Sequence, residues 1–158
     1  THTMTRKIFL DTGIFFDCLE SQDRKTLINH AINRNYQIFT SLSVIGEVIL
    51  IMKRDAKFAE HLTGFFSLLS EWKITILVPT DDVAVICYEF SQDFTDGRMM
   101  SQKTDRMHLA YAIAYDCDYF ITSDDALIRY KIPRRLIESD YVKPDTLPLE
   151  AFKKVVLS

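Results

Sequence analysis

Glycine and proline are scarce, four of each in 158 residues, so little of the chain is available for long irregular connections. Regular elements, helices above all, are expected to take up most of it. Cysteine is scarcer still. Cys18, Cys87 and Cys117 are odd in number and have no CxxC spacing, which speaks against a disulfide framework or a zinc knuckle and fits a reducing cytoplasm. Positive charge is not in excess: 19 Lys and Arg stand against 22 Asp and Glu, a formal net charge of −3. That argues against grip on nucleic acid through a basic coat alone, but not against an enzyme whose bound cations attract phosphate. Long apolar runs are missing too. The longest, residues 44–52, is broken by Glu47 and falls well short of the ~20 residues of a membrane span. No membrane association is expected, and no signal peptide is visible.

What is present is enough for a packed core. Hydrophobic residues make up 47% and charged residues 26%, which excludes a disordered or fibrous chain. The length suits one domain. Met4 is the first residue able to initiate a chain, so residues 1–3 read as an expression remnant, the domain as 4–158, and His2 drops out as a ligand.

Residues 7–11 (KIFLD) form an apolar run halted by Asp11-Thr12-Gly13, the pattern of a buried strand entering a turn. Helical spacing follows over 14–19 and 23–32, with Ser21 as a cap between them. A second strand is expected at 36–40, leading into a helix capped by Ser41 or Ser43 and carrying Val44, Glu47, Val48 and Ile51. Residues 55–69 have a wide apolar face, expected to pair with the preceding helix. A strand at 73–78 closes at Pro79, and Thr80 caps a helix over 81–90 with Asp81 and Asp82 in its first turn. Residues 93–101, with Gly97, read as an exposed loop. Then come a helix over 104–115, a strand over 118–122, a short helix from Ala126 and a terminal strand at 141–143. Alternation of strand and helix implies an α/β fold: a mostly parallel sheet of four to five strands with helices on both faces.

In such a sheet the functional crevice lies beyond the carboxyl ends of the strands. Asp11 ends the first strand, Asp124 follows the strand at 118–122, Glu47 lies early in the helix after the second strand, and Asp105 opens another helix. Glu47 has the poorest structural excuse, because it interrupts an apolar run where an unpaired charge is costly to bury. Two carboxylates about 4 Å apart repel by roughly 4 kcal/mol at an effective dielectric of about 20, so four together call for cations. Oxygen donors without Cys or His suit Mg²⁺ or Mn²⁺ rather than zinc. A cation so held can activate water for hydrolysis of a phosphodiester.

The segments IFLDTG at 8–13, TSLSVIGEV at 40–48, TDRMHLAYAIA at 104–114 and DYFITSDDAL at 118–127 together resemble the PIN domain, and within it the VapC-type toxin nucleases of type II toxin–antitoxin pairs. The likeness covers nearly the whole chain from Lys7. It implies a Rossmann-like three-layer α/β/α sandwich and a metal-dependent endoribonuclease with an acidic quartet at Asp11, Glu47, Asp105 and Asp124. It also implies supporting hydroxyls at Thr12 and Ser123, an RNA substrate, a homodimer, and an antitoxin laid across the apolar surface of the early helices. Many members have Asn or Arg where this chain has Ser123. On this reading Asp11, Asp105 and Asp124 hold a first metal, and Glu47 reaches it through water or holds a second. The products are a 5′-phosphate and a 3′-hydroxyl.

Plainer readings stand beside these. Asp11 can be a turn former and Asp105 a first-turn acid; of Asp124 and Asp125, the first is taken as ligand and the second as helix cap. His108 shares a helical face with Asp105; the preferred reading packs its ring beside Leu109 and Ala112 with a bond to a nearby carbonyl, and the other makes it a substrate donor or base. His30 and His61 are expected at the surface, and Trp72 and the Phe residues from Phe58 to Phe66 in the core or an interface. Arg98, Lys103 and Arg106 are candidate RNA contacts, with ordinary solvated charge as the alternative, and the same holds for Arg134 and Arg135. A free-standing RNA-processing nuclease and a non-catalytic PIN-like binding module are the alternative functions. A phosphatase that needs a second Asp two residues after Asp11 is rejected, because Gly13 is there.

Overall fold

The computed structural model describes residues 5–92 and 100–158, with side chains described outside 100–103. Five short strands, β1 (Arg6–Leu10), β2 (Tyr36–Ser41), β3 (Thr75–Leu77), β4 (Tyr119–Ile121) and β5 (Asp145–Leu147), form one parallel sheet in the order β3-β2-β1-β4-β5. Helices α1 (Thr12–Glu20), α2 (Gln22–Asn33), α3 (Leu42–Arg54) and α4 (Leu62–Glu71) lie in the connections from β1 to β3. Helices α5 (Asp81–Ser91), α6 (Met100–Ala114), α7 (Asp125–Arg129) and α8 (Arg134–Glu138) lie in those to β4 and β5, and α9 (Leu149–Leu157) closes the chain. Parallel connections are right-handed, so reversing the direction of travel across the sheet puts the two sets on opposite faces. The result is the expected three-layer α/β/α sandwich. The reversal falls between β1 and β4, and it opens a crevice at their carboxyl ends.

The sheet interior is apolar on both faces, as a doubly covered parallel sheet requires. Ile8, Phe9 and Leu10 of β1 and Phe120 and Ile121 of β4 are fully buried, and the Phe9 and Phe120 rings stack with centroids 5.0 Å apart. Among the described residues no helix is long and apolar enough to cross a membrane.

The shortage of glycine is met at helix ends by other residues. Asn35, Lys73, Asp116 and Asp140 have φ of 69°, 50°, 57° and 68° and follow α2, α4, α6 and α8. After three of these helices the amide of the residue that follows the positive-φ one closes the turn, Ile74 N on Leu69 O, Cys117 N on Ala112 O and Tyr141 N on Leu136 O, which satisfies carbonyls the helix leaves open. Asn and Asp tolerate this backbone; Lys does so at a cost. Lys73→Gly is therefore expected to raise the melting temperature by about 2–4 °C, the shift that ~1 kcal/mol produces in a domain of this size, as calorimetry can check.

Several expectations need correction. The helix expected over 55–69 starts only at Leu62, after a 3-10 turn at Ala59–His61. Asp55 is responsible, since its carboxylate accepts from the Lys57 amide at 3.0 Å and turns the chain. The apolar face of α4 packs on α1, with the Phe15 and Phe65 rings edge to face at 5.2 Å and Gly64 tight against Leu19, and the part of the segment that meets α3, as expected, is the 3-10 turn. Phe66 points outward, 48% exposed, while Trp72 is buried and its indole donates to Asn29 Oδ1 at 2.8 Å. The strand expected at 73–78 shrinks to Thr75–Leu77 because Lys73 is still turning out of α4. No strand forms at 141–143. Val142 is 74% exposed, and β5 starts beyond Pro144, where a residue without an amide proton fits the entry to a strand. Of the loop expected over 93–101, residues 93–99 lie outside the described residues, and Met100 already belongs to α6.

Candidate active site

The crevice between β1 and β4 is shaped by their register. Phe9 pairs with Phe120, so the next residues on that face, two further along each chain, are Asp11 and Thr122. They meet: Thr122 Oγ1 donates to Asp11 Oδ2 at 2.7 Å, and Asp11 Oδ1 accepts from the Thr12 amide at 2.8 Å as the N-cap of α1. The Asp11 amide itself donates to Ile121 O at 3.0 Å, which ties the end of β1 to β4. Asp11 is only 6% exposed. Burial raises its pKa above the usual carboxylate range, against the pull of His108 and the bonds from Thr122 and Thr12.

The other three acids come from different elements and line the same cavity, about 510 Å³ in volume. Glu47 lies on α3 and Asp105 on α6. Asp105 does not open its helix, contrary to expectation, because α6 already runs from Met100; the helix N-terminus is therefore not at this carboxylate. Asp124 follows β4 and is the N-cap of α7, accepting from the Ala126 amide at 2.9 Å. The cap is thus Asp124 and not Asp125, whose position is the first of the helix. Capping engages Oδ1 of Asp124, while its carboxyl also meets that of Asp105.

His108 is wholly buried. It does not bond a carbonyl, as expected, but stands between two side chains of α3: Nδ1 is 2.7 Å from Ser43 Oγ, and Nε2 is 3.1 Å from Glu47 Oε2. The bond from His108, opposed by burial, keeps the Glu47 carboxyl below its usual range, and the Thr12 hydroxyl adds to this. Asp105 goes the other way: burial first, then Asp11, Asp124 and Glu47, push its carboxyl up to about 7. Atoms of Glu47, Asp105 and His108 lie within 4.8 Å of one another.

Of the two hydroxyls after β4, the one bonded to a carboxylate is Thr122, which sequence reading passed over in favour of Ser123. Ser123 is exposed, and its Oγ is 3.2 Å from where a Cβ on Gly13 would lie. Thr122 Oγ1 also accepts from the Asp124 amide at 3.1 Å, so one hydroxyl links two acids. Arg98 lies outside the described residues, as does the side chain of Lys103, and the Arg106 guanidinium stacks 4.2 Å from the centre of the Tyr130 ring. Arg134 pairs with Glu138 at 3.1 Å, and Arg135 faces Glu89 at 3.9 Å. Lys57, not singled out from the sequence, lies on the cavity wall. His30 is exposed and His61 half-buried. Burial pushes the thiols of Cys18 and Cys117 up to about 12, which removes them as nucleophiles.

Among the described residues the cavity wall carries six carboxylates, of Asp11, Asp17, Glu20, Glu47, Asp105 and Asp124, against one ammonium, Lys57. So many acids around one open space, one of them driven to about 7, fit a bound divalent cation. Carboxylate oxygens are the ligands hard ions such as Mg²⁺ prefer.

A PIN domain family model matches residues 8–133. No curated protein sequence matches the chain. Two similar solved structures are VapBC2 from Rickettsia felis bound to a DNA fragment from their promoter, and PAE2754 from Pyrobaculum aerophilum. The first has a TM-score of 0.60 at 13% identity, covering 90% of this chain and 96% of that one. The second has a TM-score of 0.59 at 15% identity, covering 96% and 90%. At such identities the likeness is one of fold.

Proposed function

Because the chain belongs to the PIN domain family, we propose that it is a Mg²⁺-dependent endoribonuclease, the toxin of a type II toxin–antitoxin pair of the VapC type. The observation that carries this reading is the convergence of Asp11, Glu47, Asp105 and Asp124 on one cavity at the switch point of the sheet. Asp11, Asp105 and Asp124 would hold a divalent cation, Mg²⁺ or Mn²⁺, with Glu47 beside it. Such a cation, when bound, supplies an activated water and neutralises charge developing on phosphoryl oxygen. The chain supplies the rest. Thr122 and the Thr12 amide orient both oxygens of Asp11, and Asp124 keeps its place by capping α7. Lys57 on the cavity wall would meet a phosphate, and Arg98, Lys103 and Arg106 are further candidates for the RNA backbone.

The antitoxin would cover the apolar side chains that α3 and α4 expose, Leu50 at 45% and Phe66 at 48%, and so close off the acids. On the same reading the toxin pairs as a homodimer and works in the cytoplasm.

Purified protein incubated with total RNA is expected to cleave it in Mg²⁺ and not in EDTA, leaving 5′-phosphate and 3′-hydroxyl ends. Cleavage that survives EDTA would refute the reading. Thr122→Val keeps the shape of the side chain but strips a bond from Asp11 and another from the Asp124 amide. It is expected to weaken Mg²⁺ binding about 10–100-fold by titration calorimetry, with a stability loss of about 1–3 kcal/mol in denaturant melts.

A further inference from the structure

His108 has a fully buried ring and a polar partner on each nitrogen, an arrangement the nuclease reading leaves without a role. Its neighbours form a continuous line. Ser41 Oγ accepts from the Val44 amide at 3.1 Å and lies 2.7 Å from Ser43 Oγ, Ser43 Oγ lies 2.7 Å from Nδ1, and Nε2 lies 3.1 Å from Glu47 Oε2. Thr12 Oγ1 is a more distant neighbour of Nε2, at 3.5 Å.

The direction of the Nε2 bond follows from which atom has a proton to give, and the other directions follow for a neutral ring. A carboxylate only accepts, so Nε2 must carry hydrogen and donate to Glu47. In a neutral ring Nδ1 is then bare and accepts, which commits the hydroxyl proton of Ser43 to it. The Ser43 oxygen is left to accept from Ser41, whose own oxygen still has a lone pair for the Val44 amide. Every donor and acceptor in the line is used, and none faces its own kind. The line starts on the backbone of the first turn of α3 and ends on a carboxylate of the same helix, with an imidazole from α6 as the link.

We propose that Ser41 and Ser43 form a one-way hydrogen-bond relay that holds His108 as its Nε2–H tautomer, making His108 a positioning residue for Glu47 rather than a metal ligand or a base. The inference rests on reading Glu47 as part of a cation site. It bears on which ion the site takes. Glu47, Asp105 and His108 are close enough together to be mistaken for a mixed nitrogen and oxygen ligand set. With its proton on Nε2 the imidazole has no lone pair toward the acids, so only oxygen donors remain there, and these favour a hard ion. To ligate, His108 would have to give up both that proton and its bond to Glu47.

The test begins with the ¹⁵N-labelled full chain at pH 8, its His108 ring read by long-range proton–nitrogen spectra with and without Mg²⁺, and assigned by the signal lost in His108→Gln. The expected result is a protonated, pyrrole-like Nε2 and a bare, pyridine-like Nδ1 in both spectra. A proton on Nδ1, protons on both nitrogens, or loss of the Nε2 proton on adding Mg²⁺ would overturn the proposal. Calorimetric titration with Mg²⁺ supplies the second readout. His108→Gln keeps an N–H donor toward Glu47 and is expected to stay within about threefold of the unaltered protein, whereas His108→Leu and Ser43→Ala weaken binding by about tenfold or more. Equal affinity for Mg²⁺ in all of them would equally overturn it. Should His108→Leu fail to fold by circular dichroism, Ser43→Ala and the spectrum of the unaltered protein still decide. Absence of Mg²⁺ binding in the unaltered protein would sink the nuclease reading instead, while the tautomer remains measurable.

Discussion

Asp105→Asn is expected to make the metal-free protein more stable and at the same time to abolish its response to Mg²⁺. Asp105 titrates near 7 in the folded chain, against an ordinary value of 3.8, because it is buried beside Asp11, Asp124 and Glu47. Between about pH 4 and pH 7 the folded state therefore holds a proton that the unfolded state has lost. Stability falls as pH rises through this window and stays reduced above it. Asn cannot ionise and escapes that loss. Since Asp105 is only half-buried, solvent screens part of the effect, and a gain of about 2–4 °C in melting temperature at pH 8 is the expected scale. The unaltered protein should in turn be stabilised by Mg²⁺, more so at pH 8 than at pH 6, since binding at lower pH must first expel the proton. Melting curves for both proteins at the two pH values, with Mg²⁺ and with EDTA, test all of this. A metal-free Asp105→Asn protein less stable than the original at pH 8 would show that the acids do not strain the empty cavity.

Asp11→Asn is expected to eliminate RNA cleavage, by at least ~100-fold, while leaving the fold intact. The separation of the two effects follows from what each oxygen of Asp11 does. Oδ1 caps α1 through the Thr12 amide, and Asn is as good a cap as Asp. Oδ2 accepts from the Thr122 hydroxyl, which can turn to accept from an amide nitrogen instead. Replacing a buried carboxylate by a neutral amide also relieves the burial cost that raises the Asp11 pKa. What is lost is the negative charge a cation needs, and loss of a direct ligand should match or exceed the 10–100-fold typical of groups that merely support one. Fragment analysis of RNA digests, beside a melting curve of the variant, gives both numbers. Undiminished cleavage by a folded Asp11→Asn protein would remove Asp11 from the proposed site.

Asp11, Asp124 and Glu47 were legible because they stand where a strand ends or an apolar run is broken, and both are local signals; Asp105 stands inside α6 and carries neither. Glu47 is the clearest, as a charge that breaks the apolar run of Val44, Val48 and Ile51 has the poorest local excuse, its partner His108 being 61 residues away. The same local view misread Asp124, because it weighed Asp124 and Asp125 as rival caps without seeing that one carboxylate can cap a helix and face Asp105 as well. The family resemblance pointed to Ser123 as a supporting hydroxyl, whereas the hydroxyl bonded to Asp11 is that of Thr122. Two adjacent hydroxyls point to opposite sides of a strand end, and only the pairing of Phe9 with Phe120 shows which side carries Asp11. Ser43 drew notice only as a cap, a task that Ser41 performs, leaving Ser43 free for His108.

By itself the sequence determined the alternation of strand and helix, the parallel α/β class and which carboxylates end up at the strand tips. These follow from periodicities of two and about 3.6 residues and from caps and turns, all of which act over a few bonds. Only the tertiary structure decided the register of β1 on β4, which sets Thr122 on Asp11, and the meeting of α3 with α6, which seats His108 against Ser43 and Glu47. Both depend on how side chains 60 to more than 100 residues apart pack together, and no pattern within a single element encodes that.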